Sequence, residues 1–257
     1  MDDDAIRGAR PLLELMSSHR SVRDFEPTPV PRAHLEAAIG AARQAASSKN
    51  VQPYGAILVE DAAERATLAE LCGDQAQVRE AGAFLVICGD LRRSALLARR
   101  DGAGFVANLE AFMVAAIDAS LFAQNLVLAL EGTGYGTCYI GGLRTRIDEV
   151  DALLELPELV LPLYGLCVGV PRSVPDSKPR FHTDAILHAG RYPSDAEVLA
   201  DVERYDAAME PHFAARGKPG WSWSGAIARQ FARPVRPHLA GYYRRKGIDF
   251  GEVPRSE

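Results

Sequence analysis

The sequence predicts a sheet-centred core of the mixed α/β or α+β class, followed by a helical C-terminal third. Four apolar runs of strand length alternate with stretches whose apolar residues recur at helical spacing. After Pro171 the apolar strands cease and only helical patterns follow. At 257 residues the chain suits one large domain or two small ones.

The elements follow in order. Residues 1–10 are expected to be a mobile N-terminal segment. Pro11 to Met16 reads as a short helix ending before His19. Pro27, Pro29 and Pro31 enforce an extended connection, because proline fixes φ and disfavours helix in the residue before it. From Arg32 to about Ala45, Leu35, Ala38, Ile39 and Ala42 have helical spacing, and Ser47-Ser48-Lys49-Asn50 then forms a polar break. Ala56 to Val59 is the first strand, and a helix runs from about Ala62 to Cys72. Ala83 to Cys88 is apolar throughout, the mark of a strand covered on both faces.

The longest helix is predicted over Val106 to Glu131. It is apolar almost all round, so it belongs in a domain centre or a subunit interface. Gly132 and Gly134 end it. Thr137 to Ile140 and Leu161 to Val168 complete the strands, with a short helix stopped by Pro157 between them. Ser194 to His212 is an amphipathic helix, Arg216 to Ser224 a loop, and Pro237 to Lys246 a last short helix. The polar C-terminal third is unsuited to burying a core alone and is expected to wrap a neighbour.

Composition narrows the function. The chain is 47% hydrophobic and 25% charged, with a formal net charge of -5. That balance argues against a nucleic-acid partner, which favours a basic face. By this reading no stretch approaches the roughly 20 apolar residues of a membrane span. The acidic start Met1-Asp2-Asp3-Asp4 has the wrong sign for a signal peptide. Cys72, Cys88, Cys138 and Cys167 form no C-x-x-C pair, which disfavours zinc, and reduced thiols suit a cytoplasmic chain. The histidines show no metal-ligand spacing, and no G-x-G-x-x-G opens a helix after a strand.

Three short segments stand out: His19-Arg20-Ser21-Val22-Arg23, Tyr139-Ile140-Gly141-Gly142-Leu143-Arg144, and Lys178-Pro179-Arg180. They supply guanidinium forks, an ammonium, a hydroxyl and backbone freed by glycine, which are the groups that bind phosphate oxygens. If the first segment is extended, His19, Ser21 and Arg23 share one side. Taken singly, each is also compatible with a basic surface loop or a plain strand-to-helix turn. In an acidic chain, all three together point to a local site for one anionic ligand.

The ordered set HRSVRDF, YIGGLR, LYGLCVGVP and DSKPR resembles the flavin-dependent nitroreductase superfamily, in particular its NADPH-dependent oxygen-insensitive nitroreductase and flavin reductase branch. The likeness runs from about Leu12 to Gly247. It implies an α+β sandwich with a mainly antiparallel sheet flanked by helices, and an intertwined homodimer. A noncovalent FMN is implied in each of two interface sites. It further implies an FMN-binding core over 11–190 and, over 191–257, a helical excursion that wraps the partner subunit and borders the active site.

The implied flavin contacts are His19, Arg20, Ser21, Arg23, Ser47, Ser48, Gln52, Gln75, Gln77, Tyr139, Ile140, Gly141, Gly142, Arg144, Lys178 and Arg180. Arg23, with Lys178 as second candidate, would stabilise charge at the flavin's pyrimidine edge. Arg216, Lys218 and Arg236, with Glu110 as an acidic partner, would meet the donor NADPH, with NADH as an alternative donor. Electrons would pass by a ping-pong cycle to a small-molecule acceptor: a nitroaromatic, a quinone or free flavin. The alternative function is FMN storage or sequestration without turnover.

Overall fold

The structure is a computed structural model and describes residues 10–251. The expected mobile segment, apart from Arg10, lies outside the described residues. The chain divides into two compact units, Met1–Pro175 together with His238–Glu257, and Asp176–Pro237.

The first unit is an α+β layered core. It begins with α1 (Arg10–Ser18), β1 (Asp24–Phe25), α2 (Arg32–Ala42) and a 3₁₀ turn (Ser48–Asn50). Next come β2 (Tyr54–Leu58), α3 (Ala62–Leu71), α4 (Ala76–Glu80), β3 (Ala83–Asp90) and α5 (Arg92–Arg100). Then follow α6 (Leu109–Glu131), β4 (Gly136–Ile140), a 3₁₀ turn (Gly141–Arg144), α7 (Ile147–Leu153), β5 (Val160–Gly169) and β6 (Pro171–Ser173). The four-stranded sheet has the order β2-β3-β5-β4 and every pairing is antiparallel. A separate ribbon joins β1 to β6.

β3 shows why the sheet sits at the centre. Side chains alternate across a strand, so its apolar run feeds two cores. Phe84, Val86 and Cys88 pack with Leu68, Leu71, Val78 and Ile140. Leu85 and Ile87 pack on the other side with Phe122, Leu126, Leu130 and Leu166. Each such side chain, fully buried, contributes about 1.5–3 kcal/mol.

α6 supplies most of the second core. Asn108 caps it, its side chain accepting from Ala111 N–H at 3.0 Å. Ala115, Ala119, Phe122, Leu126 and Leu130 are buried, while Leu109, Met113, Ile117 and Leu121 form a stripe at spacing four that stays exposed. By length and composition this helix could cross a membrane, which corrects the expectation that no stretch is apolar enough. Its inner face is packed on the sheet, as in the core helix of a globular fold.

Two further helices, α4 and α5, were not foreseen. α4 is only five residues long, and α5 carries four arginines and no buried residue. Near the end of the chain, α10 (Leu239–Arg245) puts Tyr242 and Tyr243 into a third apolar cluster with Leu91, Ala115, Ile147 and Leu161.

The second unit holds a 3₁₀ turn (Thr183–Ala185), α8 (Asp195–Ala214) and α9 (Trp223–Phe231). Ser194 and Glu197 form a reciprocal capping box at the start of α8. Phe181, Tyr205 and Trp223 form an aromatic cluster, with Phe181 and Tyr205 stacked at 4.3 Å. α9 falls partly in the stretch read as loop. Its start is fixed by Ser222, which caps Gly225, and by Ser224 N–H donating to Asp206 at 3.0 Å.

Candidate functional site

The His19–Arg23 segment leaves α1 and lies against β4. Val22 N–H donates to Thr137 O at 2.9 Å, and Ser21 forms a bridge with Thr137. Val22 is buried, and Gly136 has no Cβ because one would sit 2.8 Å from the Val22 Cβ. That close approach sets the segment's alternation. Val22 turns into the core, His19 and Ser21 are half-buried, and Arg23 is exposed.

His19 is fixed from behind. Its Nδ1 lies 2.8 Å from Glu131 Oε1, and Thr137 Oγ1 donates to the same oxygen at 2.6 Å. The arginines are held by main chain: Arg20 donates to His19 O at 2.8 Å and Arg23 to Ser21 O at 3.1 Å. Among the described residues no carboxylate pairs with either guanidinium. Two uncompensated cations beside a hydroxyl and an imidazole make a donor set for an anion, and a phosphate monoester fits it chemically.

The Gly141–Gly142 turn gathers a second group. A Cβ on Gly142 would collide with Cys72 O and Gln75 Nε2, so only glycine lets the α3–α4 connection come this close. Gln75 donates to Cys72 O at 2.8 Å, and buried Gln77 donates to Gln75 Oε1 at 2.7 Å. The structure therefore brings Gln75, Gln77 and Gly142 together. A recess of about 360 Å³ nearby is lined by Ser120, Gln124, Tyr139, Gly141, Arg144 and Tyr164. Arg144 Nη1 donates to Leu163 O at 2.5 Å. Tyr139 and Tyr164 meet edge to face at 5.3 Å, and burial pushes both phenols up, so they stay protonated donors. Ile140 points into the core.

Ser47, Ser48 and Gln52 form a third group. Ser47 Oγ–H donates to Asp118 Oδ2 at 2.7 Å, Ser48 N–H reaches the same oxygen at 3.2 Å, and Gln52 N–H donates to Ser47 Oγ at 2.7 Å. Asp118, Glu131 and Thr137 escaped the sequence reading. The available signal was a lone aspartate inside the apolar run of α6, and a glutamate closing that helix where acidic residues are disfavoured.

The remaining candidates lie in the second unit, except Glu110, which is exposed in the first turn of α6. Tyr205 OH donates to Pro179 O at 2.9 Å, which pins the Lys178–Arg180 turn to α8. Arg180 donates to Lys178 O at 3.2 Å. Lys218 Nζ lies 4.4 Å from the Trp221 ring centre, a cation–π contact. Arg216 lowers the basicity of His212, after burial as the larger cause and together with Lys178. Arg236 holds a positive φ of 51°.

All four cysteines are buried, and burial raises every thiol, Cys72 and Cys88 to about 12. At neutral pH they are inert thiols. No group of three His, Cys, Asp or Glu residues among the described residues is placed to hold a metal ion. The chemistry offered is thus anion binding and fixed positive charge beside a polar, aromatic-lined recess.

The family model described as Nitroreductase family matches residues 16–170, and that for the C-terminal domain of the same family matches residues 178–251. The chain is 37% identical over 240 residues to the oxygen-insensitive NADPH nitroreductase of Salmonella typhimurium, covering 92% of this chain and 98% of that one. It is 35% identical over 243 residues to the FMN reductase (NADPH) of Bacillus subtilis, covering 92% and 98%. Among solved structures, NfrA1 of B. megaterium matches with a TM-score of 0.90 at 34% identity, covering 93% of this chain and 99% of the other.

Proposed function

The chain belongs to the nitroreductase family and is an FMN-dependent NAD(P)H oxidoreductase, and we propose the residue roles and acceptors that follow. The observation that carries the site assignment is the anchored His19–Arg23 segment. It carries a hydroxyl, an imidazole and two guanidiniums that, among the described residues, have no carboxylate partner.

In this reading His19, Arg20 and Ser21 hold the flavin phosphate, joined by Lys178 and Arg180. Ser47, Ser48, Gln52, Gln75, Gln77, Tyr139, Ile140, Gly141, Gly142 and Arg144 border the ring system. Bound FMN supplies the hydride chemistry, and the protein supplies orientation and charge. Arg23 places a guanidinium cation where it would stabilise negative charge at the pyrimidine edge. Arg216, Lys218 and Arg236 bind the 2′-phosphate of NADPH, with Glu110 as their acidic partner. Nitroaromatics, quinones or free flavin take the electrons, binding after the oxidised nicotinamide has left.

The active form in this proposal is a homodimer. The exposed stripe of α6 supports it, and so do the few buried residues of α8 and α9. Purified protein tests the reading directly. It should be yellow, release FMN on heating, and lose flavin absorbance when NADPH is added without oxygen. Release of FAD, or no flavin after reconstitution, contradicts the cofactor assignment at this site. A yellow protein inert to both nicotinamides would instead indicate storage.

A further inference from the structure

We propose that Asp118 is a positioning residue: it holds the Ser47–Gln52 loop in the shape that contacts FMN. This rests on the flavin reading of that loop given above. Asp118 is 3% exposed, in the middle of an otherwise apolar helix face. A buried carboxylate is costly unless it is hydrogen-bonded, and among the described residues the hydrogen bonds it accepts come from one loop. Ser47 Oγ–H donates to Oδ2 at 2.7 Å, and Ser48 N–H lies 3.2 Å from Oδ2 and 3.4 Å from Oδ1. No lysine, arginine or histidine among the described residues forms an ion pair with it. Among the described residues its hydrogen bonds come from the neutral donors of Ser47 and Ser48.

The loop needs such an anchor. Lys49, Asn50 and Gln52 have φ of 49°, 59° and 52°, the left-handed region that non-glycine residues rarely adopt. Three such residues in four positions persist only where surrounding contacts over-determine them. The contacts are at hand. Asp118 fixes Ser47, and Ser47 Oγ in turn accepts Gln52 N–H at 2.7 Å, closing the loop on itself. α6 is immobilised on the sheet by Ala115, Ala119 and Phe122, so the carboxylate transmits the position of a rigid element to the loop. An aliphatic residue at 118 would suit the helix face and leave Ser47 and Ser48 without their acceptor.

The test measures FMN affinity of apoprotein by quenching of FMN fluorescence. It also measures the rate of trypsin cleavage after Lys49 without flavin, read by mass spectrometry. Asp118→Ala should raise the FMN Kd about tenfold or more, because the loop loses the buried acceptor that Ser47 and Ser48 share. It should also speed cleavage after Lys49 selectively, by about tenfold. Asp118→Asn keeps an acceptor oxygen and should recover most of both effects, and it decides the matter if the alanine variant does not fold.

Unchanged Lys49 cleavage in Asp118→Ala overturns the proposal. So does faster cleavage at all sites alike, which would mean general destabilisation. Selective loosening with wild-type FMN affinity overturns it as well. A Ser48→Ala, Gln52→Ala double variant separates the two levels. If its FMN affinity is unchanged, the flavin reading of the loop fails, and the proposal with it. If its affinity falls while that of Asp118→Ala does not, only the positioning role fails.

Discussion

Glu131 Oε1 lies 2.8 Å from His19 Nδ1, across 112 positions of sequence. The same oxygen takes the hydroxyl of Thr137 at 2.6 Å. A carboxylate ending a helix meets the negative end of the helix dipole, so its place here depends on these donors. With Nδ1 engaged by the carboxylate, the imidazole presents Nε2 to a ligand. We expect Glu131→Ala to weaken FMN binding about tenfold, the scale of losing a hydrogen bond to a charged group. His19→Ala should act through the same contact, so the double variant should lose less than the sum of the singles. Fluorescence titration of the cycle checks this, and strictly additive losses would show that Glu131 does not act through His19.

The sequence made the sheet legible because its strands are continuous apolar runs bounded by turn residues, as at Ala83–Cys88. The basic segments were legible for a similar reason, since cations and glycines are rare in such order. What stayed hidden depends on tertiary contact. Asp118 and Glu131 look like ordinary helix polar residues until Ser47 and His19 are folded against them. The one-sided burial of α6 was equally hidden. An all-apolar helix does not reveal which stripe meets the sheet, and Leu109, Met113, Ile117 and Leu121 are exposed only because the sheet lies on the opposite side.

Arg23 and Arg180 should fail in different ways when removed. Arg23 is exposed on the strand edge, its guanidinium donating to Ser21 O at 3.1 Å. Arg23→Ala should retain flavin but slow its reduction, by the roughly 2–4 kcal/mol typical of losing one preorganised donor. Arg180, assigned to the phosphate, should mainly weaken flavin binding when replaced by alanine. Stopped-flow reduction of both reconstituted variants separates the roles, and the same pattern in both would refute the division.

Leu109, Met113, Ile117 and Leu121 expose between 43% and 51% of their surface at spacing four along α6. A stripe of this kind is more apolar than solvent exposure favours, and a second copy of the chain would cover it. Light scattering should give twice the 27.8 kDa chain mass for the wild type. Ile117→Glu should shift it towards monomer and lower thermal stability, because folding and association are linked in obligate dimers. A wild-type monomer, or an Ile117→Glu protein with unchanged mass, would contradict this.

Buried thiols make stability depend on pH on the alkaline side. Burial raises Cys72 and Cys88 from an ordinary 9.0 to about 12, and it raises Cys138 and Cys167 as well. Above the ordinary value the unfolded chain releases these protons while the folded chain keeps them. Stability from this source is complete below about pH 9 and falls as pH rises towards about 12. Urea midpoints should therefore decline across that window, and less steeply in a Cys72→Ala, Cys88→Ala variant. A slope unaffected by removing the two thiols would assign the decline to other groups.

Donor choice is the remaining prediction. Lys218 sits over Trp221 at 4.4 Å, which fixes the ammonium without neutralising it. The 2′-phosphate of NADPH carries nearly two charges, so Arg216, Lys218 and Arg236 should bind NADPH more than NADH. Lys218 and Arg216 are both solvent-exposed, and salt at physiological strength screens charges beyond about 8 Å. The preference should accordingly be moderate at low salt and should shrink as ionic strength rises. Lys218→Ala with Arg236→Ala should nearly abolish it while leaving the NADH-driven rate close to wild type. The measurement is kcat/KM for each donor at low and high salt. Equal values at low salt, or a preference for NADH, would show that these cations do not read the 2′-phosphate.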